Sequence, residues 1–247
     1  MSLAKIPLIL SWCLCIPIGY LLPPNPAPQP NERTKRSGTE SYFAHLVGNG
    51  MIIFLTVTWA PSLCETAAIL CTLLPQSALT RAISRKLLFW PSTMSPSAIH
   101  VSPLYLLAWV LLVAGAALRL HCYRALGRHF TFQLGIHKDH ELITSGPYNI
   151  VRHPSYTAAL MGYTSVTLVL FVARGGWLTE CVLPYSLRVH PIITRLVLGM
   201  WAMFYTANVI GIFGRVRKED ELLRGTFKEQ WEAWAKDVPH RLVPGVY

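Results

Sequence analysis

Charge is scarce in this chain. Of its 247 residues only 14% are Asp, Glu, Lys or Arg, while 52% are hydrophobic; a soluble domain carries about a quarter charged residues. So few charges exclude a large water-soluble core as the architecture, and a mean hydropathy of +0.38 points to a chain that crosses a membrane several times. Negative charge is scarcest, with 12 Asp and Glu against 22 Lys and Arg and a net charge of +10. The basic residues are spread over several loops and form no long run. That argues against nucleic acid as a partner and for the anionic surface of a bilayer. Metal binding has no support either. The cysteines are Cys13, Cys15, Cys64, Cys71, Cys122 and Cys181. They make no C-x-x-C pair, no histidines cluster at zinc spacing, and four of them lie inside apolar runs as small packing residues.

Long apolar runs take the place of charge. Ser2 to Leu22 is expected to be a retained first span, because it is long and runs into PPNPAPQP without an A-x-A cleavage pattern. Pro23 to Ser41 reads as an extended linker. His45 to Leu74 exceeds the roughly 20 residues a span needs; Pro61 inside it predicts a kink, tilt or break. Glu65 in the same run costs about 2.5–3.5 kcal/mol on insertion scales and should face the bundle interior. A loop carrying Arg81, Arg85 and Lys86 follows. Val101–Leu120, Tyr156–Val172 and Ile192–Phe213 are three further spans. Trp177–Leu183 is too short to cross unaided; it completes the fourth helix or turns back. The expected fold is all-α, a multi-spanning transmembrane bundle of about five spans.

With five spans, the loop 23–44, the polar segment 121–155 with Arg119, and the tail share one side, which holds fifteen Lys and Arg against six on the other. The positive-inside rule puts that side in the cytosol. In the tail, Leu223, Phe227, Trp231, Trp234 and Val238 fall on one helical stripe, so a cytosolic amphipathic helix is expected. The stripe suits lipid headgroups or a protein surface equally.

The chemistry-bearing residues gather in two places. The first is the polar stretch Gln133–Tyr156, QLGIHKDHELITSGPYNIVRHPSY. In Arg152-His153-Pro154, proline favours the first turn of a helix, so His153 sits near the cap of the fourth span. Backbone N–H groups beside Arg152 then make a place for an anion. Ser145-Gly146-Pro147 is a turn able to fold Tyr148 and His140 back over the same spot. The second place is Arg215-Val216-Arg217-Lys218-Glu219-Asp220-Glu221, where Arg215 and Glu219 share one helical face.

The stretch HELITSGPYNIVRHPSY, followed by RVRKEDELLRGTFKEQWEAWAKDVPHRLVPG, resembles the isoprenylcysteine carboxyl methyltransferase family from about Gly127 to the C-terminus. The resemblance implies an integral protein of the endoplasmic reticulum membrane that uses S-adenosyl-L-methionine. It implies a division into N-terminal spans and linkers, 1–120, and a catalytic core, 121–247. Carried over residue by residue, it implies cofactor binding by Gln133, His140, Glu141, Leu142, Ile143, Tyr148, His153, Pro154, Ser155, Tyr156 and Glu219. Arg215 would contact substrate, and Arg152 would help hold a carboxylate, so these two are the expected catalytic residues. The family's Glu-Glu pair is here Glu219-Asp220, which puts in doubt any role needing the reach of the second carboxylate.

The reaction so implied moves a methyl group to the C-terminal carboxylate of a prenylated cysteine in a processed CaaX protein. That carboxylate, with a pKa of about 3.3–3.7, is ionised without a general base. It needs a cation to place it and a dry site. The prenyl chain would enter from the membrane lipid. Methylation of a phospholipid headgroup amine is the alternative within enzymes; an amine must first lose a proton, for which His140 or His153 would serve. A non-enzymatic membrane scaffold is the alternative of another class.

Overall fold

The computed structural model describes residues 3–17, 19, 50–75, 77–88, 98–130 and 141–246. The linker expected at 23–41, the start of the second apolar run, and Gln133, His137 and His140 lie outside them. The described residues form helices and no strands. In chain order they are α1 (Lys5–Ile16), α2 (Gly50–Leu73), α3 (Ala78–Leu87), α4 (Pro103–Leu126), α5 (Pro154–Thr167), α6 (Leu183–Val189), α7 (Pro191–Phe227) and α8 (Glu229–Asp237).

Among the described residues four helices are long and apolar enough to cross a membrane: Phe54–Leu73, Pro103–His129, Pro154–Val172 and Pro191–Phe227. The fifth expected span is represented by α1, a shorter apolar helix. The chain is therefore an all-α, multi-spanning membrane protein of about five spans.

Three local outcomes depart from or refine the expectations. Pro61 does not break α2, which continues from Gly50 to Leu73. Around it the Thr58 and Ser62 hydroxyls donate to carbonyls one turn back, at Phe54 and Thr58, as hydroxyls commonly do where a span carries proline. The last span does not end as a helix near Phe213 but runs on to Phe227. Arg, Lys, Glu and Leu, which make up eight of the ten residues 215–224, are all good helix formers. The helix stops at Lys228, whose φ of +47° is the one positive value at a non-glycine residue among those described. Finally, 177–189 turns back as a separate helical arm and does not complete α5. The reversal uses Gly175 at φ +84°, where an added Cβ would stand 2.5 Å from the His100 carbonyl oxygen; only glycine fits there.

The described residues form two compact units. One draws on Met1–Pro17, Ile52–Val113 and Gly162–Tyr205, the other on Ile18–Met51, Ala114–Met161 and Thr206–Tyr247. The first is built around a buried ion pair. Lys5 Nζ lies 2.5 Å from Glu65 Oε1, donates to the Gly175 carbonyl at 2.8 Å and sits 4.4 Å from the centre of the Tyr105 ring. Glu65 Oε2 accepts the Trp177 backbone N–H at 3.0 Å. Two charges that are each costly in an apolar setting thus settle one another and secure α1, α2 and the Gly175 turn. Ile9, Ala68, Ile69, Leu88 and Ile99 close over them as an apolar cluster.

The second unit holds the tail. Trp231, Trp234 and Val238 are buried against Cys122 and Tyr148, with Leu223 and Phe227 alongside, and the Trp234 indole donates to the Tyr148 carbonyl at 3.1 Å. The stripe on the tail thus packs on protein.

Removing one partner of a buried pair strands the other, at a cost of about 3–5 kcal/mol. Lys5→Met and Glu65→Gln should each lower the thermal midpoint of the detergent-solubilised protein. The double variant should lose less than the two single losses added, as a double-mutant cycle of melts would record.

Candidate active site

The second unit places α5, α7 and the C-terminal segment around one carboxylate. Pro154 opens α5, so the residues before it are extended and present their side chains and N–H groups together. Asp220, on α7, receives three of them or their neighbours. His153 Nε2 is 2.8 Å from Asp220 Oδ1. Arg152 Nη2 donates to Asp220 Oδ2 at 3.3 Å, and Arg241 Nε donates to the same oxygen at 2.9 Å. Arg152, His153 and Asp220 are all buried.

The backbone closes the same junction. Arg152 N–H donates to the His240 carbonyl at 2.9 Å and His153 N–H to the Arg241 carbonyl at 2.8 Å. Arg152 Nη1 donates to the carbonyls of Val238 and Pro239 at 2.9 and 3.0 Å. The Thr157 hydroxyl donates to the Leu242 carbonyl at 2.6 Å. The N–H groups expected to receive an anion are thus engaged by chain carbonyls. Arg152, expected to help hold a substrate carboxylate, is engaged here by the protein's own Asp220.

One helical turn from this junction lies a second constellation. Tyr156 donates its hydroxyl hydrogen to Glu219 Oε2 at 2.7 Å, and Arg215 Nε donates to the Tyr156 oxygen at 3.1 Å. The Arg215 guanidinium lies 5.9 Å from the centre of the Tyr156 ring, within cation–π range. Glu219 Oε1 is 3.8 Å from His153 Nδ1, an ion-pair separation and too long for a hydrogen bond. Arg215 is buried, whereas the Glu219 side chain keeps 30% of its surface exposed.

Burial alone would depress the His153 pKa, but the Asp220 hydrogen bond and the two flanking carboxylates outweigh it and push the imidazole up to about 9. His153 is therefore an imidazolium at neutral pH. Burial and the neighbouring Cys122 and Glu219 push the Tyr148 phenol above its usual range, so it stays protonated.

The sequence-expected residues divide into three groups. Arg152, His153, Pro154, Ser155, Tyr156, Arg215 and Glu219 come together here. Tyr148, Leu142 and Ile143 belong to the adjoining cluster with Trp231 and Trp234, and Glu141 is exposed. Gln133 and His140 lie outside the described residues. Two arginines were passed over. Arg241 was read as a tail charge. Arg119 was counted with the flanking loop, yet it is buried and donates to the Ser155 carbonyl and hydroxyl at 2.9 and 3.0 Å. A signal existed for Arg119, since an arginine at the end of an apolar span requires an internal partner or a path to the headgroups. Asp220, which stands where the family pattern has its second glutamate, meets three cationic partners of the chain itself.

Residues 107–189 match the sequence model of the isoprenylcysteine carboxyl methyltransferase family, in agreement with the resemblance carried by the residues above. The match takes in Arg152 to Tyr156 and ends before Arg215 and Glu219. The comparison with curated proteins finds no match.

A histidine whose pKa is raised on folding lends stability that is fully present below its unfolded value of about 6.5 and is lost as pH rises through about 9. The thermal midpoint should therefore fall between pH 6.5 and pH 9.5. Asp220→Asn should be less stable at pH 6.5 and should flatten this slope, as melts across the pH range would record.

Proposed function

We propose, taking the family match at residues 107–189 as premise, that this membrane methyltransferase methylates the C-terminal carboxylate of a prenylated cysteine, as in processed CaaX proteins of the endoplasmic reticulum. The observation that carries the reading is the charge of the site. Arg152, His153, Arg215 and Arg241 bring four cationic groups to two carboxylates, Glu219 and Asp220. A buried junction with that excess favours an anionic acceptor.

S-adenosyl-L-methionine fits the donor set. Glu219 is partly exposed and has one oxygen outside hydrogen-bonding range of His153, which leaves it acceptor capacity for a hydroxyl or ammonium group. Tyr156 positions that carboxylate through its own hydroxyl. Tyr148, Leu142 and Ile143, packed with the tail tryptophans, would form the apolar wall, and His153, Pro154 and Ser155 the floor. Gln133, His140 and Glu141 complete the proposed cofactor set. When bound, the cofactor supplies an electrophilic methyl on a sulfonium sulfur.

The chain's own contribution is placement. The acceptor carboxylate is ionised at neutral pH and needs no base. Arg215, held by Tyr156 and buried, would bind it, since a guanidinium matches a carboxylate bidentately. Arg152 acts one step away, as a positioning residue that fixes Asp220, His153 and the tail. Burial keeps water from the carboxylate, so its attraction to Arg215 is little screened. Held as an imidazolium between two carboxylates, His153 cannot accept a proton from an amine, which leaves His140 as the base that the amine route would need. The membrane setting supports access for the prenyl chain from lipid, and the cytosolic orientation of the site follows from the distribution of Lys and Arg.

Methyl transfer from labelled S-adenosyl-L-methionine to acetyl-farnesylcysteine, in membranes containing the full chain, tests the reading; transfer to phosphatidylethanolamine instead would select the amine alternative. Arg215→Ala should lower transfer by on the order of 10²–10³-fold, the usual effect of removing a preorganised charge partner, while the protein still inserts. Full activity in that variant would refute the assigned role.

A further inference from the structure

Helix α3 lies outside the chemistry so far described. It is ten residues long, ALTRAISRKL, and contains no acidic residue. Its ends are well defined: the Ser77 hydroxyl accepts the Thr80 N–H at 3.1 Å, and the helix stops at Leu88. Leu79, Ile83 and Leu87 recur every four residues and form an apolar stripe. Arg81 and Arg85 fall on the opposite face, and Lys86 borders the stripe.

Both ends of α3 tie it to the membrane boundary. Only four residues, 74–77, separate it from the spanning segment that ends at Leu73, a reach of at most about 14 Å. At its other end Leu88 is buried in the apolar cluster of this unit, with Leu87 packed beside it. The Leu87 carbonyl accepts the Trp177 indole N–H at 2.9 Å. The helix itself has no buried residue, and Leu79 is 69% exposed. Arg81, Arg85 and Lys86 are exposed as well. A short helix fixed within reach of a span's end, with an uncovered leucine and three cations but no anion, has the composition of an interfacial lipid-binding helix.

We infer that α3 lies in the interface of the non-cytosolic leaflet, where the Lys and Arg count puts its loop, and binds anionic phospholipid headgroups there, with Arg81, Arg85 and Lys86 over the phosphates and carboxylates and Leu79 dipped into the acyl boundary. Charge complementarity selects the lipid: each Lys or Arg near an anionic surface strengthens attraction by about fivefold. An acidic protein partner would match the cations in charge but leave Leu79 and Ile83 over water or require its own apolar face.

The test uses the full chain reconstituted in phosphatidylcholine vesicles carrying trace spin-labelled phosphatidylserine or phosphatidylcholine. Electron paramagnetic resonance gives the fraction of each label immobilised on the protein. The wild type should prefer phosphatidylserine, and raising salt from 0.05 to 0.5 M should weaken the preference. The variant Arg81→Gln/Arg85→Gln/Lys86→Gln should lower the specific phosphatidylserine preference by on the order of fivefold per charge removed and leave the phosphatidylcholine fraction unchanged. Arg81→Lys/Arg85→Lys should retain the preference. A wild type without preference for phosphatidylserine, or a glutamine variant with the wild-type ratio, overturns the inference; so does a preference that salt leaves untouched.

Discussion

Asp220 is a buried anion shared by three cations, and the second unit depends on that arrangement. Arg152, His153 and Arg241 come from the start of α5 and from the C-terminal segment, while Asp220 comes from α7. A carboxylate in that position is tolerated only because it is fully paired, and the cations are tolerated for the same reason. The consequence is mutual: none of the four can be lost without stranding the others. Glu219, one residue earlier and on a different face of α7, keeps part of its surface open. Two neighbouring acidic residues thus sit in different settings, one internal and shared by three cations, the other partly open.

The first unit solves a similar problem with fewer parts. Lys5 and Glu65 pair in an apolar cluster, and backbone groups of the Gly175 turn absorb what capacity remains. Charge in both units is used where hydrocarbon surroundings make an unpaired group prohibitively costly. That is why a chain with so few charged residues can still derive much of its specificity from them.

The legible part of the sequence was what repeats or clusters. Apolar runs about twenty residues long identified four spans, because a bilayer demands a fixed length of hydrocarbon-compatible helix. The Arg152-His153-Pro154 triplet and the pair Arg215/Glu219 were visible as polar clusters beside spans, and the structure brings them together as two hydrogen-bonded constellations joined by the His153–Glu219 ion pair. Less legible was anything set by pairing over long separations. Glu65 was expected to face the bundle interior, but nothing in the sequence marked Lys5, sixty residues away, as its partner. The role of Asp220 was hidden because side-chain length was weighed without the position of α7. The helical face shared by Arg215 and Glu219 was legible from their spacing, but not that α7 runs unbroken to Phe227, since a fall in hydropathy marks only a change in what surrounds a helix.

The clasp between Arg152–His153 and residues 238–242 is made largely by main-chain oxygens. Every amino acid supplies such an oxygen, so the side chains of Pro239 and His240 are free to drift without loosening it, while Val238 also packs in the cluster with the tail tryptophans. Related chains could share this closure while agreeing at few of those letters. Comparing sequences would then rank the segment as variable, although the fold uses it as a fastening.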